Sequence, residues 1–230
     1  MFRAVKYPGL VQLVTEENFE FTVYDLLADL TRKHARKDLL ARQYTRLMEL
    51  AGRQVDWEKA PVKILVINNA DLFIWNSNYT AFNKALQTLN MVNVAEKLKP
   101  YNGPSNIENL LVYDPDLIVI YFSSKLTVAD IYNDPKLRGL KAVVNRQVYR
   151  MPLGVARMSG PVERPLLFMW LCQLAHPKLP HRYDIKAMLS DVYWNVYGYR
   201  LTENEIDFIF HAAENSQSAG YATWGYGRSH

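Results

Sequence analysis

Apolar positions recur along this chain in two rhythms, one helical and one strand-like, and their order sets out the expected architecture. Leu10 to Val14 follows a Pro-Gly turn and reads as a short buried strand. After Thr22, Val23, Leu26, Leu27 and Leu30 fall at helical spacing. A basic stretch from Arg32 to Lys37 then leads into a second helical run, in which Leu40, Tyr44, Leu47, Met48 and Ala51 share one face. No proline interrupts Leu39 to Val55, so the pattern predicts one long amphipathic helix, with Arg42, Arg46 and Glu49 on its solvent side.

The pattern changes at Pro61. Val62 to Ile67 is rich in β-branched residues, as expected of a strand buried on both faces. Tyr79 to Leu89 reads as a helix, and Ser105 begins another with Glu108 at capping-box spacing. Asp114-Pro115-Asp116 ends that helix before a buried strand, Leu117 to Phe122. Asp134-Pro135 opens a short helical turn ending near Gly139, and Gln147 to Met151 is a third strand. Pro161 to Ala175 and Asp184 to Tyr197 are helical, the second capped by Gly198. Thr202 caps a final helix, with Glu205 at the capping-box position, and residues from Glu214 onward are expected to fray. Alternating strands and helices predict an α/β fold, a parallel or mixed sheet with helices on both faces in three layers.

The chain has 230 residues, 49% hydrophobic and 22% charged, enough for a sizeable core. Its most apolar run, Leu166 to Ala175, is too short to span a bilayer and contains Gln173. Met1 to Pro8, interrupted by Lys6 and Pro8, does not read as an export signal. The single cysteine, Cys172, excludes an intrachain disulfide and reads as a small buried side chain. A net charge of +4 does not argue for nucleic acid, and the basic run Arg32 to Lys37 lacks interleaved aromatics, so it reads as a solvated helix junction. No His pairs with another ligand at metal-binding spacing, and there is no phosphate loop, nucleophile elbow or paired carboxylate, so nothing argues for an enzyme or a cofactor.

In a parallel sheet, ligands sit beyond the carboxyl ends of the strands. Three loops occupy that position: Asn68 to Asn78, Ser123 to Thr127, and Pro152 to Glu163. In the last, Arg157 and Ser159 lie between Gly154 and Gly160 and just before a helix start, an arrangement suited to an anion. The alternative is that Arg157 pairs with a nearby carboxylate and holds the loop. Trp75, Asn76 and Tyr79 supply flat and polar groups for an opposite wall, with Ser123 between; alternatively Phe73 and Trp75 continue a strand into the core.

Several segments resemble the substrate-binding proteins of ABC importers for iron-siderophore, haem and cobalamin, the class III periplasmic binding proteins. Ile107-Glu-Asn-Leu-Leu-Val-Tyr-Asp-Pro-Asp-Leu-Ile-Val-Ile120 is similar to their helix, Asp-Pro-Asp break and buried strand. Asn133-Asp-Pro-Lys-Leu-Arg-Gly-Leu-Lys-Ala-Val-Val144, followed by Asn145-Arg-Gln-Val-Tyr149, is similar to their short helix and following strand. The resemblance runs from about Gly9 to about Tyr199. It implies a Rossmann-like lobe with a long linking helix, divided as a remnant of an N-terminal lobe (1–35), the linking helix (36–58), a C-terminal α/β lobe (59–182), C-terminal helices (183–211) and a flexible tail (212–230). It implies a periplasmic location, an interlobe cleft holding a metal chelate or an oxyanion such as molybdate, and delivery to a permease with its ATPase. Glu163 is the expected permease-docking carboxylate, with an ordinary helix N-terminal charge as the alternative. Because little of an N-terminal lobe precedes the long helix, self-association through an exposed apolar face is also expected. A non-transport interaction module, or a truncated binding protein without function, is the alternative reading.

Overall fold

A computed structural model describes residues 34–53, 55–67, 80–96, 107–155, 158, 160, 162–177 and 183–223. The predicted strand at Leu10 to Val14 and the helix after Thr22 lie outside the described residues.

The long helix is present as α1, His34–Gly52. It includes the end of the basic run, from His34 on, where a junction was expected, because Arg, Lys and Ala are all good helix formers. Leu47 and Ala51 are buried and Arg42, Arg46 and Glu49 exposed, the two faces that the spacing predicts. Four strands follow among the described residues: β1 (Val62–Ile67), β2 (Met91–Asn93), β3 (Leu117–Ile120) and β4 (Val148–Arg150). All described pairings are parallel, in the order β2-β1-β3-β4. β2 has no counterpart in the sequence reading, because three residues carry too little periodicity to be recognised.

Side chains alternate across the sheet and divide the core in two. Ile64, Val66, Leu117, Val119 and Tyr149 face one layer, with α1, α2 (Thr80–Gln87), α6 (Arg164–Ala175) and α7 (Ile185–Val192). Leu65, Ile67, Ile118, Ile120 and Val148 face the other, against α3 (Ile107–Tyr113), α4 (Val128–Asn133) and α5 (Lys141–Val144). α6 is buried from Arg164 to Leu174, which explains why its sequence is apolar all round rather than along one stripe. α7 runs into a π-helical turn, Tyr193–Tyr197, closed by Gly198 at a left-handed φ of 69°. Thr202 and Glu205 form the predicted capping box of α8 (Glu203–Ile209).

The segment after Glu214, expected to be flexible, packs on the lobe as far as Thr223; residues 224–230 lie outside the described residues. It follows α9 (Ala212–Asn215), and Asn215, Ser218 and Tyr221 are all buried. The physical reason is the free edge of β4. The Asn215 Oδ1 accepts from the Arg150 amide at 2.6 Å, while its Nδ2 donates to the Arg150 carbonyl at 3.0 Å. Ser218 donates to the Val148 carbonyl, and the Ala219 amide donates to the Arg146 carbonyl at 2.8 Å. The Arg146 guanidinium donates to the Gln217 carbonyl and lies over the Tyr132 ring. These bonds satisfy backbone groups that a bare edge strand would leave open.

Candidate functional site

Because every described strand is parallel, their carboxyl ends emerge along one edge. The order β1-β3-β4 places three strand ends side by side there: Ile67, Ile120, where the middle loop begins, and Arg150, where the third loop begins. Trp75, Asn76, Tyr79, Arg157 and Ser159 lie outside the described residues. Ser123 is described and stands exposed in the middle loop.

The middle loop is built by local bonds. The Tyr121 amide donates to the Ile67 carbonyl at 2.7 Å, which ties the start of this loop to the end of β1. Ser124 is buried and its hydroxyl accepts from the Leu126 amide at 3.2 Å. Thr127 then caps α4 through a reciprocal box with Asp130, whose carboxyl the Thr127 bonds hold below its ordinary range. The strand stops at Ile120, two residues earlier than its apolar run suggests. Tyr121 and Phe122 therefore belong to the loop, their ring centroids 4.3 Å apart and both half-buried. The sequence reading assigned them to the strand; the signal was present as two aromatics at the end of an aliphatic run.

The third loop is held at its base. Met151 continues the ladder by donating to the Ile120 carbonyl, and the Leu153 amide donates to the Ile209 carbonyl at 2.8 Å. Glu163, at the entrance to α6, is wholly buried. Its Oε1 accepts from the Tyr193 hydroxyl at 2.7 Å and from the Val155 amide at 2.9 Å. This corrects the reading of Glu163 as a permease-docking carboxylate: as placed, it presents no surface to a partner. The same geometry explains Gly154. A Cβ there would stand 2.6 Å from one carboxylate oxygen of Glu163 and 2.7 Å from the other, closer than any side chain can sit.

Burial first, and then the Glu163 carboxylate, raise the Tyr193 hydroxyl well above the ordinary phenol range. The same two causes push Tyr197 up to about 12. Both phenols are neutral at physiological pH, and the Tyr193 hydroxyl donates to Glu163. Burial lowers the neighbouring Arg164 to about 10, which leaves it charged. Among the described residues no group of His, Cys, Asp and Glu side chains gathers as a metal centre, and no helix is long and apolar enough to cross a membrane.

No curated protein matches the sequence significantly. Among solved structures, a periplasmic solute-binding protein from Veillonella parvula is 24% identical, with a TM-score of 0.75, over 88% of this chain and 63% of its own. The molybdate-binding protein MolA of Haemophilus influenzae, solved with molybdate, is 20% identical, with a TM-score of 0.66, over 82% of this chain and 60% of its own. An ABC transporter solute-binding protein from Sulfurospirillum deleyianum is 17% identical, with a TM-score of 0.68, over 85% of this chain and 62% of its own. The chain thus spans about three fifths of the length of these proteins and shares their fold over that part. Residues 13–153, more than half of the sequence, match the family model described as periplasmic binding protein, and the chain belongs to that family.

Proposed function

We propose that this chain forms the ligand-binding lobe of the solute-binding component of an ABC importer. It acts in the periplasm and takes an anionic metal species, either an oxyanion such as molybdate or a chelate of siderophore, haem or cobalamin type. A permease with its ATPase is the receiving partner. The observation that supports this reading is that the carboxyl ends of β1, β3 and β4 lie side by side at one edge of a parallel sheet, the place where such folds hold ligands. Arg157 is the main anion contact. Its guanidinium donates two parallel hydrogen bonds to an oxyanion, a geometry lysine does not reproduce. Ser159 and Ser123 add neutral donors, and Trp75, Asn76 and Tyr79 line the opposite wall.

The test is calorimetric titration of the chain with molybdate, haem and a ferric siderophore. Hydrogen bonds to a charged group contribute about 1.5–3 kcal/mol each. Arg157→Ala is therefore expected to weaken binding by at least about tenfold, and Arg157→Lys to recover only part of it. Equal affinity of wild type and Arg157→Ala would remove Arg157 from the site. Binding of none of the three ligands would refute the transport reading.

A further inference from the structure

Two helices flank α6 and leave a furrow between them. α1 and α7 both pack against α6, and Leu47, Ala51, Leu189 and Val192 enter the shared core. Each helix also turns a stripe toward the other. On α1 the stripe is Leu39, Arg42 and Arg46, and on α7 it is Met188 and Asp191, at the three- and four-residue spacing that shares one helical face. The furrow encloses about 570 Å³, within the roughly 300–1,000 Å³ of small-molecule sites. Its floor, Leu47 and Val192, is buried and apolar, and half-buried Met188 carries the apolar lining toward the mouth.

The charges on the two walls are unequal. Arg42 and Arg46 are exposed and have no ion-pair partner among the described residues. Glu49, three positions from Arg46, goes instead to Arg53 at 3.9 Å. Among the described residues Asp191, on the opposite wall, is the one carboxylate in the lining. Two guanidinium charges against one carboxylate leave a single positive charge in excess. Residues one turn apart on a helix stand about 5–6 Å apart at Cβ, so two guanidinium groups on such a pair reach one carboxylate together. An apolar floor below an excess of one positive charge matches a molecule with an aliphatic body and one negative head.

We propose that this furrow is a second binding site, for a free aliphatic monocarboxylate. Its carboxylate bridges Arg42 and Arg46, and its chain lies on Leu47, Met188 and Val192. Asp191 orients the molecule, because its charge keeps the negative head on the α1 wall. The site shares no residue with the anion contact proposed above and does not depend on that reading.

The test is calorimetric titration of the full chain with decanoate, kept below the concentration at which it self-associates. Saturable binding of one decanoate per chain is expected. Butanoate, with the same head and a short chain, and decyltrimethylammonium, with the same chain and a positive head, are expected to bind at least about tenfold more weakly. Arg42→Ala and Arg46→Ala are each expected to weaken decanoate binding about fivefold, and Asp191→Asn to tighten it about twofold. All three side chains are exposed, so these substitutions leave the core intact. Arg157→Ala is expected to change nothing. The proposal is overturned if decanoate gives no saturable binding, if decyltrimethylammonium binds as well, or if the Arg42→Ala/Arg46→Ala double variant keeps full affinity. A loss in Arg157→Ala would place decanoate elsewhere and overturn it too, as would binding to phosphatidylglycerol vesicles without binding of free decanoate. Failure of molybdate, haem and siderophore to bind removes the transport reading and leaves this site standing.

Discussion

Asn215→Ala is the most direct test of how the sheet edge is closed. Asn215 is wholly buried and makes three hydrogen bonds to backbone: from the Arg150 amide at 2.6 Å, to the Arg150 carbonyl at 3.0 Å and to the Phe210 carbonyl at 3.0 Å. Truncation removes all three, but their consequences differ. The Phe210 carbonyl keeps a second donor, the Tyr221 hydroxyl at 2.8 Å. The Arg150 amide and carbonyl lose the bonds that Asn215 provides. Leaving a buried backbone group unpaired costs about 1–3 kcal/mol. Arg150 is only partly buried, and water can enter the space vacated by the side chain, so the lower part of the range applies. The expected loss is about 3 kcal/mol for the two groups together, on the same scale. For a chain of this size that lowers Tm by about 6–12 °C. The assay is urea unfolding followed by tryptophan fluorescence, to which the buried Trp170 contributes. The midpoint should fall with the slope unchanged. Ser216→Ala, one residue on and exposed, should stay within about 0.5 kcal/mol. An Asn215→Ala loss under about 1 kcal/mol would refute the reasoning, because it would mean that solvent already satisfies the β4 edge.

Two further outcomes follow from buried groups. Burial, and then the nearby Arg150 charge, hold His211 below its ordinary value of 6.5, with Glu214 opposing, so the folded state favours the neutral imidazole. Its contribution to stability is complete above 6.5 and is lost as pH falls through that value toward the folded pKa; His211→Asn, which suits the left-handed φ of 48°, should flatten that part of the stability profile. Cys172 donates to the Ala51 carbonyl and burial pushes its thiol up to about 12, so a disulfide reagent at pH 8 should leave it untouched in native protein and modify it fully in urea.

Features specified by neighbours in sequence were legible, and features specified across space were not. The runs at Val62 to Ile67 and Leu117 to Phe122 announce strands because each is rich in β-branched residues, although the second strand ends at Ile120. Thr202 with Glu205, and Gly198, announce their caps because the partners lie within a few residues. α4 carries the same kind of box at Thr127 and Asp130 but escaped notice, since six residues with only two buried positions give no helical stripe. Glu163 read as an exposed permease-docking carboxylate, with an ordinary helix N-terminal charge as the alternative. What buries it is Tyr193, thirty positions later, and only the folded chain brings them together. The segment after Glu214 has the composition of a loose end. Its order comes from Asn215 and Ser218 meeting backbone 65 and 70 positions earlier.

The attachment of α1 has a mechanical consequence. Its last turn is embedded in the lobe: Leu47 and Ala51 belong to the same core as α6, and the Ala51 carbonyl takes the Cys172 thiol. Toward its other end, Leu39 is 45% exposed and Arg42 faces water. A helix anchored in the lobe at its last turn and continuous for 19 residues is a rigid arm, not a tether. At 1.5 Å per residue it reaches about 28 Å. Each degree by which the lobe turns therefore sweeps the far tip through about half an ångström. Small rotations of the lobe are amplified by leverage, and slack in a linker does not absorb them.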